Sequence, residues 1–498
     1  MTSVNTNINS IVSQRVLGLQ NAGLANSLER LSTGLRINRG KDDPSGLIAS
    51  ENLRAEKTAI TQAITNGERA ENIISIAEGG LTEIQDQLNN LEGLVDSAAS
   101  SAGLSDEEKE AIQLQIDGIL GSIDRVADQT SFQGVKLLNG NFEFLTSGVT
   151  SSELSEVSVN AALFAAIDSN GNSGSISLTV TVGNSAQTAL SFLSVGQNGA
   201  GTAAFSGQTA TFEFTGANGT VQLSFASGTT AADAVTSINN NTELTGVSAS
   251  TSGDGIVLRS TDVGSDNFVS VRFIEGSAYE SRIHTDNGTG TAINTTGASS
   301  GTDSGRDADI LINGIAANVR GLEASISQPN LDVKVTVADA FNTRGSASNF
   351  SITGGGARFN LGPQSELASK VGIGLNAVTT GTLGSAGNGR LAALKSGGTA
   401  NVLNGDVDRA QKIVRDAIGK VSTQRGHLGS FISNTVRTSI NAMGIAFENT
   451  AAAESAIRDT DFAEETAELT RRQILVQAAT NTLAISNAQP QNALALLG

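Results

Sequence analysis

The glycines and lysine of LSTGLRINRGKDDPSGL (Leu31–Leu47) come close to a loop that holds nucleotide phosphates. Such a loop needs four residues between its glycines and a Ser or Thr after the lysine to hold magnesium. Here five residues, Leu35 to Arg39, separate Gly34 from Gly40, and Asp42 follows Lys41, where its charge repels phosphate. The residues ahead of the loop also have the pattern of a helix, not of the strand this chemistry requires. The histidines, His284 and His427, do not form an H-E-x-x-H pair, so they supply no zinc-protease site. Asp303, Asp307 and Asp309 offer oxygens of the kind calcium takes, but not at the spacing of an EF-hand loop. A turn leading into a strand accounts for them. Neither a G-x-S-x-G elbow nor a dinucleotide-binding glycine pattern occurs in a strand-to-helix context. The sequence predicts no catalytic residues, no cofactor and no metal site.

The bulk composition narrows the alternatives. A chain of 498 residues has room for roughly two to four domains. It carries 56 Gly but only 4 Pro, no Cys and no Trp, and its formal charge is -18. Such acidity argues against non-specific binding to nucleic acid and gives a self-repelling surface. The lack of cysteine excludes disulfide frameworks, thiol nucleophiles and thiolate zinc sites. The first residues, MTSVNTNINSIVSQRVLGLQ, lack the basic start and apolar run of a secretory leader. No segment approaches the roughly 18 apolar residues of a membrane span. The expectation is a protein with no membrane partner, either cytoplasmic or exported by a route that needs no cleaved leader.

The two ends of the chain resemble each other in pattern, and the middle differs. Leu17, Leu24, Leu28, Leu31 and Leu35 recur at helical steps, as do Ala77, Leu81, Ile84, Leu88, Leu91 and Val95. Ser105 with Glu108 has the form of a capping box, and the helix it starts has the stripe Ile112, Ile116, Ile119, Ile123 and Val126. Toward the other end Val407, Val414, Val421 and Leu428 step by sevens, continued by Ile432, Val436, Ile440 and Met443. The last helix carries Leu469, Val476 and Leu483. One apolar seam along a helix stays unstable until another helix covers it, so the two ends are expected to meet. From about Asn141 to Gly398, Gly, Ser, Thr and Asn dominate. Short alternating runs such as SISLTVTV, ATFEFTG, FVSVRFI and LDVKVTV read as strands there. One helix, TTAADAVTSINNN, interrupts them, with Ala232, Val235 and Ile238 on one face. The predicted fold class is α+β and multidomain. A long antiparallel, coiled-coil-like helical stalk comes from both termini, with one or two β-rich outer domains inserted between them. The final residues, ISNAQPQNALALLG, place Leu494, Leu496 and Leu497 where they need a partner surface.

Several long segments together resemble bacterial flagellin. These are LERLSTGLRINRGKDDPSGLIAS (Leu28–Ser50), IDRVADQTSFQGVKLLNG (Ile123–Gly140) and ISNAQPQNALALLG, in that order. The likeness covers roughly the first 140 and last 100 residues of the sequence. Within the insert, the stretch from Phe225 to Phe273 resembles a small β-α-β module of flagellins and hook-associated proteins. The resemblance implies a structural subunit, not an enzyme, that leaves the cell through the flagellar export channel and polymerises into the extracellular filament for swimming. It implies as partners further copies of the chain, the export apparatus, a flagellin chaperone, and hook-associated and cap proteins. A hook–filament junction protein, or a filament subunit whose insert is also an adhesin, are the alternatives.

On this reading residues 1–42 with 456–498 form an inner helical core. Residues 43–145 with 385–455 form an outer helical core bearing a β-hairpin, and 146–384 a variable surface insert, with the β-α-β module at about 200–275. The polymerisation seam comprises Leu17, Leu24, Leu28, Leu31, Leu35, Leu469, Val476, Leu483, Leu494, Leu496 and Leu497. Arg36, Arg39, Lys41, Asp42, Asp43 and Pro44 form a joint, with the helix before it ending near Leu35 and Gly40 and its basic residues facing the acidic Glu454–Thr466 segment. The family's innate immune receptor reads an arginine and a glutamate on an outer-core helix. The matching positions here are Asn90 and Gln115, beside Leu94, so the resemblance implies weakened recognition.

Overall fold

The computed structural model describes residues 6–100, 104–163, 174–194, 197–198, 202–203, 205, 209–252, 255–275, 281–283, 301–328, 331–403 and 405–495. The chain forms two compact units. One contains the chain up to Glu71, the excursion Asn360–Ser369, and everything from Ile432 onward. The other contains Asn72–Phe359 and Lys370–Phe431.

The first unit is built on helices from both ends. Helix α1 (Ile8–Thr33) begins at Asn7, whose side chain accepts the Ser10 N–H, and stops at Gly34. Gly34 has φ +73°, a left-handed conformation that glycine adopts without penalty, and its N–H closes on the Arg30 carbonyl at 2.8 Å. The helix therefore ends on Gly34, next to the Leu35 end expected from sequence, with Gly34 and not Gly40 supplying the stop. Helix α2 (Pro44–Ala99) runs for 56 residues and contributes its first half to this unit. Its first half is tied to the helix Arg437–Arg458 by three ion pairs of alternating sense: Glu51 with Arg458, Lys57 with Glu454, and Glu71 with Arg437. Each is worth little alone, but alternating signs favour one antiparallel register.

In the second unit the latter half of α2 joins α3 (Asp106–Gln129). The expected α2 stripe, Ala77 to Val95, is completely buried. The Ser105–Glu108 capping box starts α3 as expected. The buried stripe of α3, however, is Gln113, Ile116, Leu120, Ile123 and Ala127, so Ile112, Ile119 and Val126 lie at its margins. Gln113 belongs inside because it staples the returning chain: its amide donates to the Leu394 carbonyl at 2.9 Å and accepts from the Val402 N–H at 3.0 Å. After α3, Ser131–Phe132 pairs with Val135–Lys136 through Gln133 (φ 50°) and Gly134 (φ 83°). Two successive positive φ values give a type I′ hairpin.

The insert holds two β-sandwiches, one nested inside the other. The chain lays down Phe144–Ser147, Leu154–Ala162 and Ile176–Asn184 of the first, leaves to build the second, then returns for Asp309–Gly355. The first core joins Val180, Val182, Val333, Val335, Phe350 and Ile352 across a five-stranded and a four-stranded sheet. The second joins Phe205, Phe212, Phe214 and Phe225 with α4 (Ala231–Asn239), whose inward face is Ala231, Ala234 and Ile238. Val235 packs at its edge, and Ala232, expected inside, is exposed. A single turn, α5 (Thr242–Thr245), follows. Asp303 accepts from the Leu190 N–H and Asp309 from the Asn184 amide. Asp307 accepts from Ser265 and Gly321. The three aspartates thus work separately as loop staples. Beyond the insert, α6 (Val407–Ser430) buries Val414, Val421 and Leu428 with Ala410, Ile413 and Ala417, and leaves Val407 at the rim. A π-turn, Phe431–Val436, leads into α7 (Arg437–Arg458), and α8 (Phe462–Ala495) closes the chain.

Candidate subunit interface

Helices α1 and α8 lie antiparallel. The Asn7 amide donates to the Ser486 carbonyl at 2.7 Å near one end, and the Thr460 N–H reaches the Gly34 carbonyl at 3.0 Å near the other. Between two lone helices the largest side chains would ordinarily be buried. Here the buried residues of α1 are Ser10, Ser13 and Ser27, and those of α8 include Glu465 and Ser486. Ser13 and Ser486 place their hydroxyls 3.3 Å apart. Small serines let the two backbones approach. The predicted seam residues Leu17, Leu24, Leu31, Leu469, Val476 and Leu483 are half-buried along the same contact. Leu28 departs from the expectation: it faces outward and is 51% exposed. Leu496 and Leu497 lie outside the described residues, and Leu494 falls within α8.

The outward faces carry what sequence reading left out. Ile8 is 64% exposed, Ile474 63% and Ile485 65%, with Ile11, Val12 and Leu19 beside them. This pair presents its apolar side outward, and such a surface signals a partner. Periodicity did not find it because α1 and α8 are apolar on more than one side.

The joint holds α1, α2 and the returning chain together by backbone. Leu35 and Asp459 form an antiparallel bridge, and the Arg36 N–H donates to the Arg458 carbonyl at 2.7 Å. Arg36 adds a guanidinium bond to the Ile457 carbonyl at 2.5 Å. Asp43 is the N-cap of α2: its carboxylate accepts the Gly46 N–H and the Ser45 hydroxyl, both at 2.9 Å, and Pro44 follows in the first turn. Asp42 accepts the Arg39 N–H at 2.8 Å and tightens the preceding turn. These N–H donors hold both carboxyls below the usual aspartate range.

The expected meeting of basic joint and acidic segment takes another form. Arg39 pairs with Glu29, at 2.9 Å, and Lys41 is exposed. The acidic residues meet other cations, Glu465 with Arg30 at 3.5 Å and Glu454 with Lys57. Sequence spacing gave the charges but not the long-range register that assigns their partners. In the second unit Asn90 and Gln115 are exposed and Leu94 half-buried, while neighbouring Leu114 is 73% exposed. Among the described residues no group of three or more His, Asp or Glu side chains is placed to hold a metal. No helix among them is long and apolar enough to cross a membrane.

Comparison with known proteins places these elements. The model of the bacterial flagellin N-terminal helical region matches residues 4–143, that of the C-terminal helical region residues 411–497, and the flagellin hook IN motif residues 211–262. Flagellin of Aquifex aeolicus (strain VF5) is 30% identical over 545 aligned residues, spanning 100% of this chain and 99% of its own. The flagellar filament 31.3 kDa core protein of Treponema maltophilum is 36% identical over 140 residues, 28% of this chain and 48% of that protein. Flagellar hook associated protein-3 from Legionella pneumophila covers 82% of this chain and 98% of its own at 12% identity and a TM-score of 0.30. With a full-length relative and both terminal regions matched, the chain belongs to the bacterial flagellin family and is a structural subunit of the flagellar filament.

Proposed function

We propose that the α1–α8 pair is the surface through which copies of this chain polymerise. The observation that carries the proposal is the inverted pair itself, with serines within and Ile8, Ile11, Leu19, Ile474 and Ile485 outside. The half-buried Leu17, Leu24, Leu31, Leu469, Val476 and Leu483 hold the pair together, and Leu28 and the terminal leucines extend the contact to neighbours. A lone helix of this length is marginal in water. In the free subunit α1 and α8 are largely unfolded, and they order when neighbouring copies cover the outward residues. Addition then costs ordering entropy and gains about 25 cal/mol per Å² of apolar surface buried.

The remaining assignments follow from the same reading. Residues 1–42 with 456–498 are the inner core, 43–145 with 385–455 the outer core, and 146–384 the surface insert. Residues Arg36 to Pro44 act as the joint between inner and outer core. The chain has no catalytic role. It leaves the cell through the flagellar export channel, held until then by a chaperone, and contacts hook-associated and cap proteins at the filament ends. Asn90 and Gln115 weaken innate immune recognition. Seeded elongation followed by electron microscopy tests the polymerisation surface. The double variant Ile11→Ser/Ile474→Ser is expected to keep the second unit folded yet fail to elongate. Elongation at the parent rate would contradict the proposal.

A further inference from the structure

The charges of the terminal pair are not all matched within one chain. Of those in α1 and α8, Glu29 pairs with Arg39, Arg30 with Glu465, and Glu468 with both Arg471 and Arg472. Arg15 and Glu464 are left over, opposite in sign, exposed, and without an ion pair among the described residues. We infer that Arg15 of one copy pairs with Glu464 of a neighbouring copy in the assembled polymer. The inference rests on the α1–α8 pair being the polymerisation surface, and it names the contact that orients one copy on the next.

The two cannot meet within one chain. Glu464 adjoins Glu465, which lies against Arg30, and Arg30 stands 15 residues along α1 from Arg15. That is about 22 Å of helix, beyond the combined reach of the two side chains. Near Arg15, where Ser13 meets Ser486, α8 offers no substitute: from Gln473 to Gly498 the chain has no Asp or Glu. Asp461, close to Glu464, is already engaged as the cap of α8, accepting the Ala463 N–H at 2.8 Å.

Each charge sits inside the outward apolar face that polymerisation covers. At 3.6 residues per turn, Ile8, Ile11, Arg15 and Leu19 fall within about 80° around α1, and Glu464 lies within about 80° of Ile474, Leu475 and Ile485 around α8. Ile11 and Leu19 flank Arg15 by one turn on each side, so covering them takes water from its guanidinium. A charge buried without a partner is costly, and a carboxylate brought opposite it offsets that cost. In a polymer whose copies point the same way, each copy offers Arg15 to one neighbour and Glu464 to another, which makes the contact head-to-tail. Bringing the two level offsets neighbouring terminal pairs by about 22 Å along the helices.

Charge reversal in the full-length chain, read by elongation on seeds, tests the pairing. Arg15→Glu and Glu464→Arg are each expected to raise the critical concentration about tenfold or more. The double variant Arg15→Glu/Glu464→Arg is expected to return it to within about threefold of the parent. Mixed in equal amounts, the two single variants are expected to elongate together at concentrations where neither does alone, since each supplies the sign the other lacks. The thermal midpoint of the soluble subunit is expected to stay unchanged throughout, because both side chains are exposed and unpaired within one chain. A single variant that elongates at the parent concentration, or a double variant no better than the worse single, would overturn the inference. A mixture that grows no better than its components would also overturn it, because the pair would then not join different copies. The serine substitutions at Ile11 and Ile474 test the polymerisation surface without touching either charge, so the two readings fail separately.

Discussion

The terminal pair α1–α8 and the stripes of α2, α3 and α6 draw on the same residue types and use them in opposite senses. In α2, Ile74, Ala77, Leu81, Ile84, Leu88, Leu91 and Val95 face inward and are completely buried, and α3 and α6 do the same with Ile116, Leu120, Val414 and Leu428. In the terminal pair the most buried positions are serines and Glu465, the leucines and Val476 are only half-buried, and isoleucines stand outside. A stripe that buries itself within one chain makes a stable folded part. A stripe left outward makes stability depend on other copies. On the proposed function, the difference separates what holds the subunit together from what holds the polymer together.

Four substitutions would sharpen or break that contrast, from the largest effect downward. Phe214→Ala, in the completely buried aromatic cluster of the second sandwich, is expected to cost about 3–5 kcal/mol in denaturant unfolding of that sandwich. Filaments should still form, because the insert is absent from the terminal pair. Leu88→Ala in α2 is expected to cost about 2–5 kcal/mol and to lower the thermal midpoint of the soluble subunit. Ile11→Ser should leave that midpoint unchanged, within about 0.5 kcal/mol, while raising the critical concentration for elongation. Should Ile11→Ser lower the midpoint as much as Leu88→Ala, the contrast between the two regions is lost. Asp43→Ala removes the cap of α2 and is expected to cost about 1 kcal/mol, read as lost helix near Pro44 by amide exchange.

A pH experiment addresses the insert separately. Partial burial pushes the Asp307 carboxyl up, but hydrogen bonds from the Ser265 hydroxyl and N–H and the Gly321 N–H outweigh it and hold it below the usual value. A lowered folded-state pKa contributes stability that is complete above the ordinary aspartate range and lost as pH falls through the folded value. Acid unfolding of the insert should therefore steepen below about pH 4. Asp307→Asn should flatten that limb, and an unaltered acid profile in the variant would show that Asp307 does not contribute to it.

Much of this architecture was legible because one face of a helix or strand was buried. Ala77 to Val95 and Val414 to Leu428 announce themselves by period, and so do the strands Ile176–Asn184 and Leu331–Val337. The Asp-Asp-Pro run marks the start of α2 for a local reason, since its donors lie within three residues. Legibility ended where long-range geometry chose between similar candidates. Gln113 displaced isoleucine from the α3 stripe because two backbone groups of the returning chain needed it. Arg36 does meet the Glu454–Thr466 segment, but through the Ile457 and Arg458 carbonyls and not its carboxylates, while Arg39 turns back to Glu29. The outward isoleucines of α1 and α8 were hidden by their own abundance, since a helix apolar on several sides carries no periodic mark of which side faces its partner.

Amide hydrogen exchange on the free subunit and on assembled filaments tests the central claim most directly. The account predicts that 8–33 and 462–485 exchange within seconds in the subunit and become strongly protected in the filament, while 77–95 and 413–428 are protected in both. Equal protection of the terminal helices before and after assembly would contradict it.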